Sequence, residues 1–143
     1  MKFIYDDGGR SKYFKSSDAG DCVCRAISIA TEMDYKVIYD LLNEYVSKER
    51  KHKHEKFSVS ARDGIRKTTM RKVLADLGWK WIPTMNFGTG CTVHLKEDEL
   101  PCGRLIVQVS KHLTCVIDGA LHDTYDCSRE GTRCVYGYFI REE

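Results

Sequence analysis

No apolar run in this chain approaches the roughly 20 residues that a membrane-spanning helix needs. The opening "MKFIYDDGGR" turns acidic and glycine-rich at once, which is not the pattern of a secretory signal, and the closing "FIREE" carries no lipidation or retention motif. Internal repeats, low-complexity tracts and linker-like stretches are also missing, so the 143 residues are expected to form one domain, 1–143. The seven cysteines, at 22, 24, 91, 102, 115, 127 and 134, contain no Cys-x-x-Cys pair, and Cys22-x-Cys24 has no matching second pair. That spacing does not fit structural zinc, and no metal or other cofactor is expected. The odd, scattered count also argues against a disulfide framework; with no signal, the expected compartment is a reducing cytoplasm. No membrane association is expected.

Charge is unevenly spread. Ten Lys/Arg against three Asp/Glu fall between Lys48 and Lys72, although the whole chain carries only +2. The most basic part, "KERKHKHEK", reads either as a solvated helix end or as a docking patch, with Lys48, Arg50, Lys51 and Lys53 as its candidate contacts. No nucleic-acid-binding motif accompanies it and aromatics do not interleave with the basic residues, so a protein partner is expected rather than a nucleic acid.

What is present divides by hydrophobic period. A short strand is expected at Lys2–Tyr5. Asp21 is a good N-cap for a helix from Cys22 to Thr31, whose surface is too apolar for anything but a central, buried position. Asp34 caps a second helix, "YKVIYDLLNEYVSKERK", with Val37, Ile38, Leu41, Leu42, Tyr45 and Val46 inward. Residues 52–67 read as a mobile basic loop. Thr68 or Thr69 then caps a third helix that stops at Gly78. From there the period becomes two. "WKWIP" is a strand, a second spans about 104–110, "HLTCVIDGALHDTYD" is a hairpin turning at Asp118-Gly119, and "CVYGYFI" is a last strand. The order predicts an α+β fold: N-terminal helices, with a central buried helix packed on a C-terminal antiparallel β-sheet.

Cys22 opens the central helix. A helix N-terminus carries partial positive charge and unpaired N–H groups, which stabilise a thiolate and can also hold an oxyanion. The histidine best placed to serve such a thiol is His112, at the start of the hairpin. If Asp118-Gly119 is a two-residue turn, Ile117 faces Ala120, Thr114 faces Asp123 and His112 faces Tyr125. His112 and Asp123 are then diagonal neighbours on one face, a carboxylate positioned to fix the imidazole's tautomer. A one-residue bulge would exchange Asp123 for Asp126, so both remain candidates. Cys24 and Cys115 read as small buried hydrophobes.

The arrangement of Asp21-Cys22, His112 and "DTYD" resembles the papain-like cysteine peptidase fold, and in local pattern the bacteriocin-leader (double-glycine) peptidases. The stretches "DCVCRAISIAT" and "GRLIVQVSKHLTCVIDGALHDTYDCSREGTRCVYGYF" also resemble small bacteriophage proteins assigned to that fold; residues 50–90 are not covered. The resemblance implies a thiol protease or related amidohydrolase, with Cys22 as nucleophile, His112 as base and Asp123 as orienting acid. It implies an amide or isopeptide bond in a host protein as substrate, and an anti-host or anti-defence role in the cytoplasm of an infected cell. Papain-like enzymes usually place a Gln six residues before the nucleophile; here position 16 is Ser, so Asp21, Ser16 and Ser17 are the expected oxyanion and substrate contacts. Two other readings stand beside this one. A catalytically degenerate fold that binds and blocks a host protein predicts uniform thiol labelling. A nucleic-acid-associated protein predicts affinity that falls steeply with salt.

Overall fold

A computed structural model describes residues 1–15, 19–49 and 59–141. Among the described residues nine helices and strands build a mixed α+β fold. They are β1 (Lys2–Tyr5), α1 (Cys22–Thr31), α2 (Tyr35–Ser47), α3 (Lys67–Asp76), β2 (Trp79–Pro83), β3 (Arg104–Val109), β4 (His112–Ile117), β5 (Ala120–Asp123) and β6 (Val135–Arg141). Single 3-10 turns occur at Arg10–Lys12 and Glu97–Glu99. No helix among the described residues is long and apolar enough to cross a membrane.

The six strands form one sheet in the order β1-β5-β4-β3-β6-β2. It differs from the expected antiparallel, C-terminal sheet at the β1 edge. β1 runs parallel to β5, with Tyr5 beside Asp123, and β2 comes from mid-chain to pair with β6. A four-residue strand carries too little pattern to reveal its partner's direction, which long-range pairing decides.

α1 lies across one face of the sheet. Its Val23, Cys24, Ala26, Ile27 and Ala30 share a buried cluster with Ile106 of β3, Leu113 and Cys115 of β4 and Phe139 of β6. α2 and α3 extend that cluster through Ile38, Leu42, Val73 and Leu74. A second cluster covers the opposite face, joining Leu105, Val107 and Val109 to Leu95, Leu121, Cys127 and Val135. β3 is therefore buried on both faces, which is why "LIVQV" reads as a nearly continuous apolar run instead of alternating. α2 ends at Ser47, short of the expected stretch, and Val37 points outward at 52% exposure. Asp34 caps it as expected, accepting from the Lys36 N–H at 3.1 Å. α3 begins at Lys67, ahead of the expected threonine caps. The expected mobile loop lies partly outside the described residues; from Ser60 to Gly64 the chain closes a tight turn through paired backbone bonds.

The thiols depart from expectation once. Cys91 and Cys134 form a disulfide, with Cα atoms 5.8 Å apart. The His94–Cys134 bridge lays residues 91–95 against the start of β6 and brings the two sulfurs together, a contact that spacing along the chain does not reveal.

Gly137 marks the tightest packing in the sheet. A Cβ there would come within 2.3 Å of the Trp81 ring and 2.8 Å of the Ile82 carbonyl oxygen. Gly137→Ala is expected to cost about 1–3 kcal/mol in denaturant unfolding, because the backbone of β2 cannot yield as a flexible side chain would.

Candidate active site

The site forms where the N-terminus of α1 meets the β3–β4 end of the sheet. Cys22, half-buried, and His112 line one cleft of about 580 Å3. Its other wall comes from the turn holding Asp63, Gly64 and Ile65 and from Lys67 and Met70 at the start of α3. Gly20 permits this closure. A Cβ at that position would sit 2.8 Å from the Asp63 carbonyl oxygen, so the approach to α1 can pass against the turn only without a side chain.

The hairpin register is the expected one. Ile117 pairs with Ala120, Val116 with Leu121 and Cys115 with His122, across a turn in which Asp118 and Gly119 both have positive φ. Thr114 and Asp123 thus meet across the strands, and their side chains bond at 2.7 Å. The His112 Nε2 lies 2.7 Å from Asp123 Oδ2. With Nε2 held by the carboxylate, Nδ1 is the nitrogen left for the thiol. The Asp123 Oδ1 accepts from the Thr124 N–H at 2.7 Å. Tyr125 stacks obliquely on the imidazole, ring centroids 5.2 Å apart, and borders the cleft. Asp126, the alternative acid, is exposed and instead accepts from the Ser128 N–H and hydroxyl, so no bulge exchanges the two carboxylates.

Burial opposes charge on all three groups, yet specific partners outweigh it. Burial raises the Cys22 thiol; the His112 hydrogen bond and charge, the Leu113 N–H and the Arg25 charge bring it below the ordinary thiol value. Burial likewise disfavours the His112 imidazolium, but the bonds to Asp123, Cys127 and Cys22 carry its pKa well above the usual range. Asp123, raised by burial, is held low by His112, Thr114 and the Thr124 N–H. All three shifts favour a thiolate–imidazolium pair backed by a carboxylate. The thiols of Cys24 and Cys115 go the other way, pushed by burial to about 12. Both are fully buried, as expected of small hydrophobes.

Asp21 does not take the expected role. It sits at the N-cap of α1, but its side chain makes no capping bond and is only 1% exposed. Its carboxylate is drawn inward by two arginines. It pairs with Arg25 one turn on, lies 3.2 Å from Arg10 and accepts from the Tyr35 hydroxyl at 2.5 Å. It is therefore no oxyanion or substrate contact. The consequence for Cys22 is favourable. The first N–H groups of α1 are not consumed by a capping carboxylate, so the positive helix end still faces the cleft. Arg25 also reaches toward Asp123, with Nη2 3.7 Å from Oδ1, so one buried cation links the Asp21 cluster to the carboxylate behind His112.

Ser16, Ser17, Arg50, Lys51 and Lys53 lie outside the described residues. Lys48 is exposed and paired with Glu44 at 3.3 Å, away from the residues that line the Cys22 cleft. Of the other described histidines, His94 binds Glu99 at 3.2 Å and His122 approaches Asp6; neither lines the Cys22 cleft. His112, Asp123 and Cys127 present ligand atoms within 4.8 Å of one another, a set of the kind that can hold a metal; here the His112–Asp123 hydrogen bond occupies the space between the first two.

Sequence reasoning missed four residues of the site: Arg25, Gln108, Tyr125 and Cys127. Gln108 had a visible signal, as the single polar residue inside the apolar run of β3. Comparisons with protein-family models, with curated proteins and with solved structures find no match for this chain.

Proposed function

We propose that the protein is a cysteine hydrolase of papain-like type that cleaves an amide or isopeptide bond. The observation that carries the reading is that Cys22 and His112 share one cleft with the buried Asp123 bonded behind the imidazole, and that the Cys22 thiol is lowered while the buried Cys24 and Cys115 are raised. A structural cysteine needs neither an imidazole beside it nor a carboxylate behind that imidazole.

In this reading the Cys22 thiolate attacks the carbonyl carbon, forming a C–S bond, while the Cys22 backbone N–H at the head of α1 holds the developing oxyanion. The His112 imidazolium gives its proton to the leaving amine as the C–N bond breaks. Water then attacks the thioester, passing a proton to His112, and collapse of the tetrahedral intermediate breaks the C–S bond to release the acid and restore the thiolate–imidazolium pair. Asp123 keeps the ring oriented through both steps. The host-protein substrate and the anti-defence role rest on the resemblance to bacteriophage proteins given above. The blocking reading has no observation of its own in the cleft.

The test is terminal-peptide mass spectrometry of a bacterial lysate digested with the protein. New termini or released amines are expected with the wild type and none with Cys22→Ser, whose hydroxyl has no accessible alkoxide at neutral pH. Equal cleavage by both overturns the assignment.

A further inference from the structure

Gln108, in the buried run of β3, is 4% exposed, yet its Oε1 has no hydrogen-bond donor among the described residues. Two residues on from Ile106 in the strand, it shares that residue's α1 face of the sheet, and it borders the same cleft as Cys22 and His112. The apolar part of the cleft's lining includes Val23, Ile65, Met70 and Leu113. The register of β3 against β6 shifts between Gln108 and Val109, a bulge of the kind that re-aims a side chain beside a site. Opposite Gln108 on β6 stands Gly137, which has no side chain to bond it.

An unsatisfied buried amide costs stability, and a Leu or Met of similar volume would fill this wall without that cost. Its presence calls for a partner that arrives from outside. We propose that Gln108 is the specificity-determining residue of the cleft, selecting a substrate side chain that is uncharged and hydrogen-bonding, a carboxamide above all. A carboxamide offers both a donor and an acceptor, so it pairs with the Gln108 amide in either orientation. An apolar side chain of equal size leaves Gln108 unpaired a second time. Lys67 and Asp63 share one wall of the cleft, and Arg25 and Lys111 complete its charged lining, so the preference for an uncharged side chain rests on Gln108 itself. The inference rests on the hydrolase reading for its substrate to be a peptide, but its test does not need turnover.

The probe is a panel of dipeptidyl chloromethyl ketones in which each residue is varied in turn among Gln, Asn, Leu and Met. The Cys22 thiolate displaces chloride from each, and the rate of alkylation at Cys22 is read by mass spectrometry. At one of the two positions the wild type is expected to react about 10-fold or more faster with Gln or Asn than with Leu or Met. In Gln108→Met and Gln108→Leu that ratio is expected to fall to about one or to invert. Both variants are expected to raise Tm by about 3 °C or more, since each removes an unpaired buried acceptor. A carboxamide-to-apolar ratio that is the same in wild type and in whichever variant folds overturns the proposal. Failure of the hydrolase reading looks different: wild-type Cys22 would react with plain iodoacetamide no faster than exposed Cys102 at about pH 6, a pH at which an unperturbed thiol is almost wholly protonated.

Discussion

His112→Ala is expected to slow iodoacetamide alkylation of Cys22 by about 10-fold or more at about pH 6. Two effects compete. Lowering a thiol's pKa increases the thiolate fraction by one log unit per unit of pKa, as long as the pKa stays above ambient pH. It also weakens the nucleophile by about half a log unit per unit. The first effect wins, so the imidazolium is a net accelerator below the ordinary thiol range. Removing it also leaves the burial penalty on Cys22 unopposed by its principal partner, which raises the thiol further. The rate loss should shrink as pH rises toward the variant's own raised thiol value, above which both proteins carry a thiolate. Site-resolved mass spectrometry across pH checks this; equal rates in variant and wild type at low pH would remove His112 from the account.

Asp21→Ala is expected to lower unfolding free energy by about 3–5 kcal/mol, a large share of a single domain's stability. The carboxylate sits between Arg10 and Arg25 and accepts from Tyr35, all four side chains being buried. Without it two cations face each other out of water. A surface N-cap lost to alanine costs only about 1 kcal/mol, so the size of the effect discriminates the buried-cluster role from the capping role. Urea unfolding of the variant measures it. The same experiment on wild type at different pH has a defined sign. Asp123 has a lowered pKa, so its contribution is complete above the unfolded carboxylate value of about 4 and is lost as pH falls through the folded value. His112 has a raised pKa, so its contribution is complete below about 6.5 and is lost as pH rises through its folded value. The pair therefore stabilises most between about pH 4 and 6.5, and His112→Ala should lower that plateau and remove the pair's share of the decline above about pH 6.5.

Local chemistry made much of this legible. Asp118-Gly119 specifies a two-residue turn, a two-residue turn specifies register, and register alone brings His112, Thr114 and Asp123 to one face. The bounds of α1 were legible from Asp21 at its N-cap position and from its largely apolar run. Asp21 shows where local reasoning stops. As a residue before a helix it is indistinguishable from a capping aspartate, and what turns it inward is Arg10 and Tyr35, which only the fold brings near. The parallel pairing of β1 and the Cys91–Cys134 disulfide are long-range in the same sense. The polar residue in β3 was visible as an anomaly, but an amide in a strand has meaning only once both faces are known to be covered.

A titration of the Cys22 thiol in the wild-type protein, followed by its Cβ carbon chemical shift under selective labelling, reads the central claim most directly. The account predicts a thiolate that persists well below the ordinary thiol value of about 8.5 and protonates together with a change at the His112 ring. A thiol that stays protonated up to about 8.5 or beyond, with an imidazole titrating independently near 6.5, would contradict it.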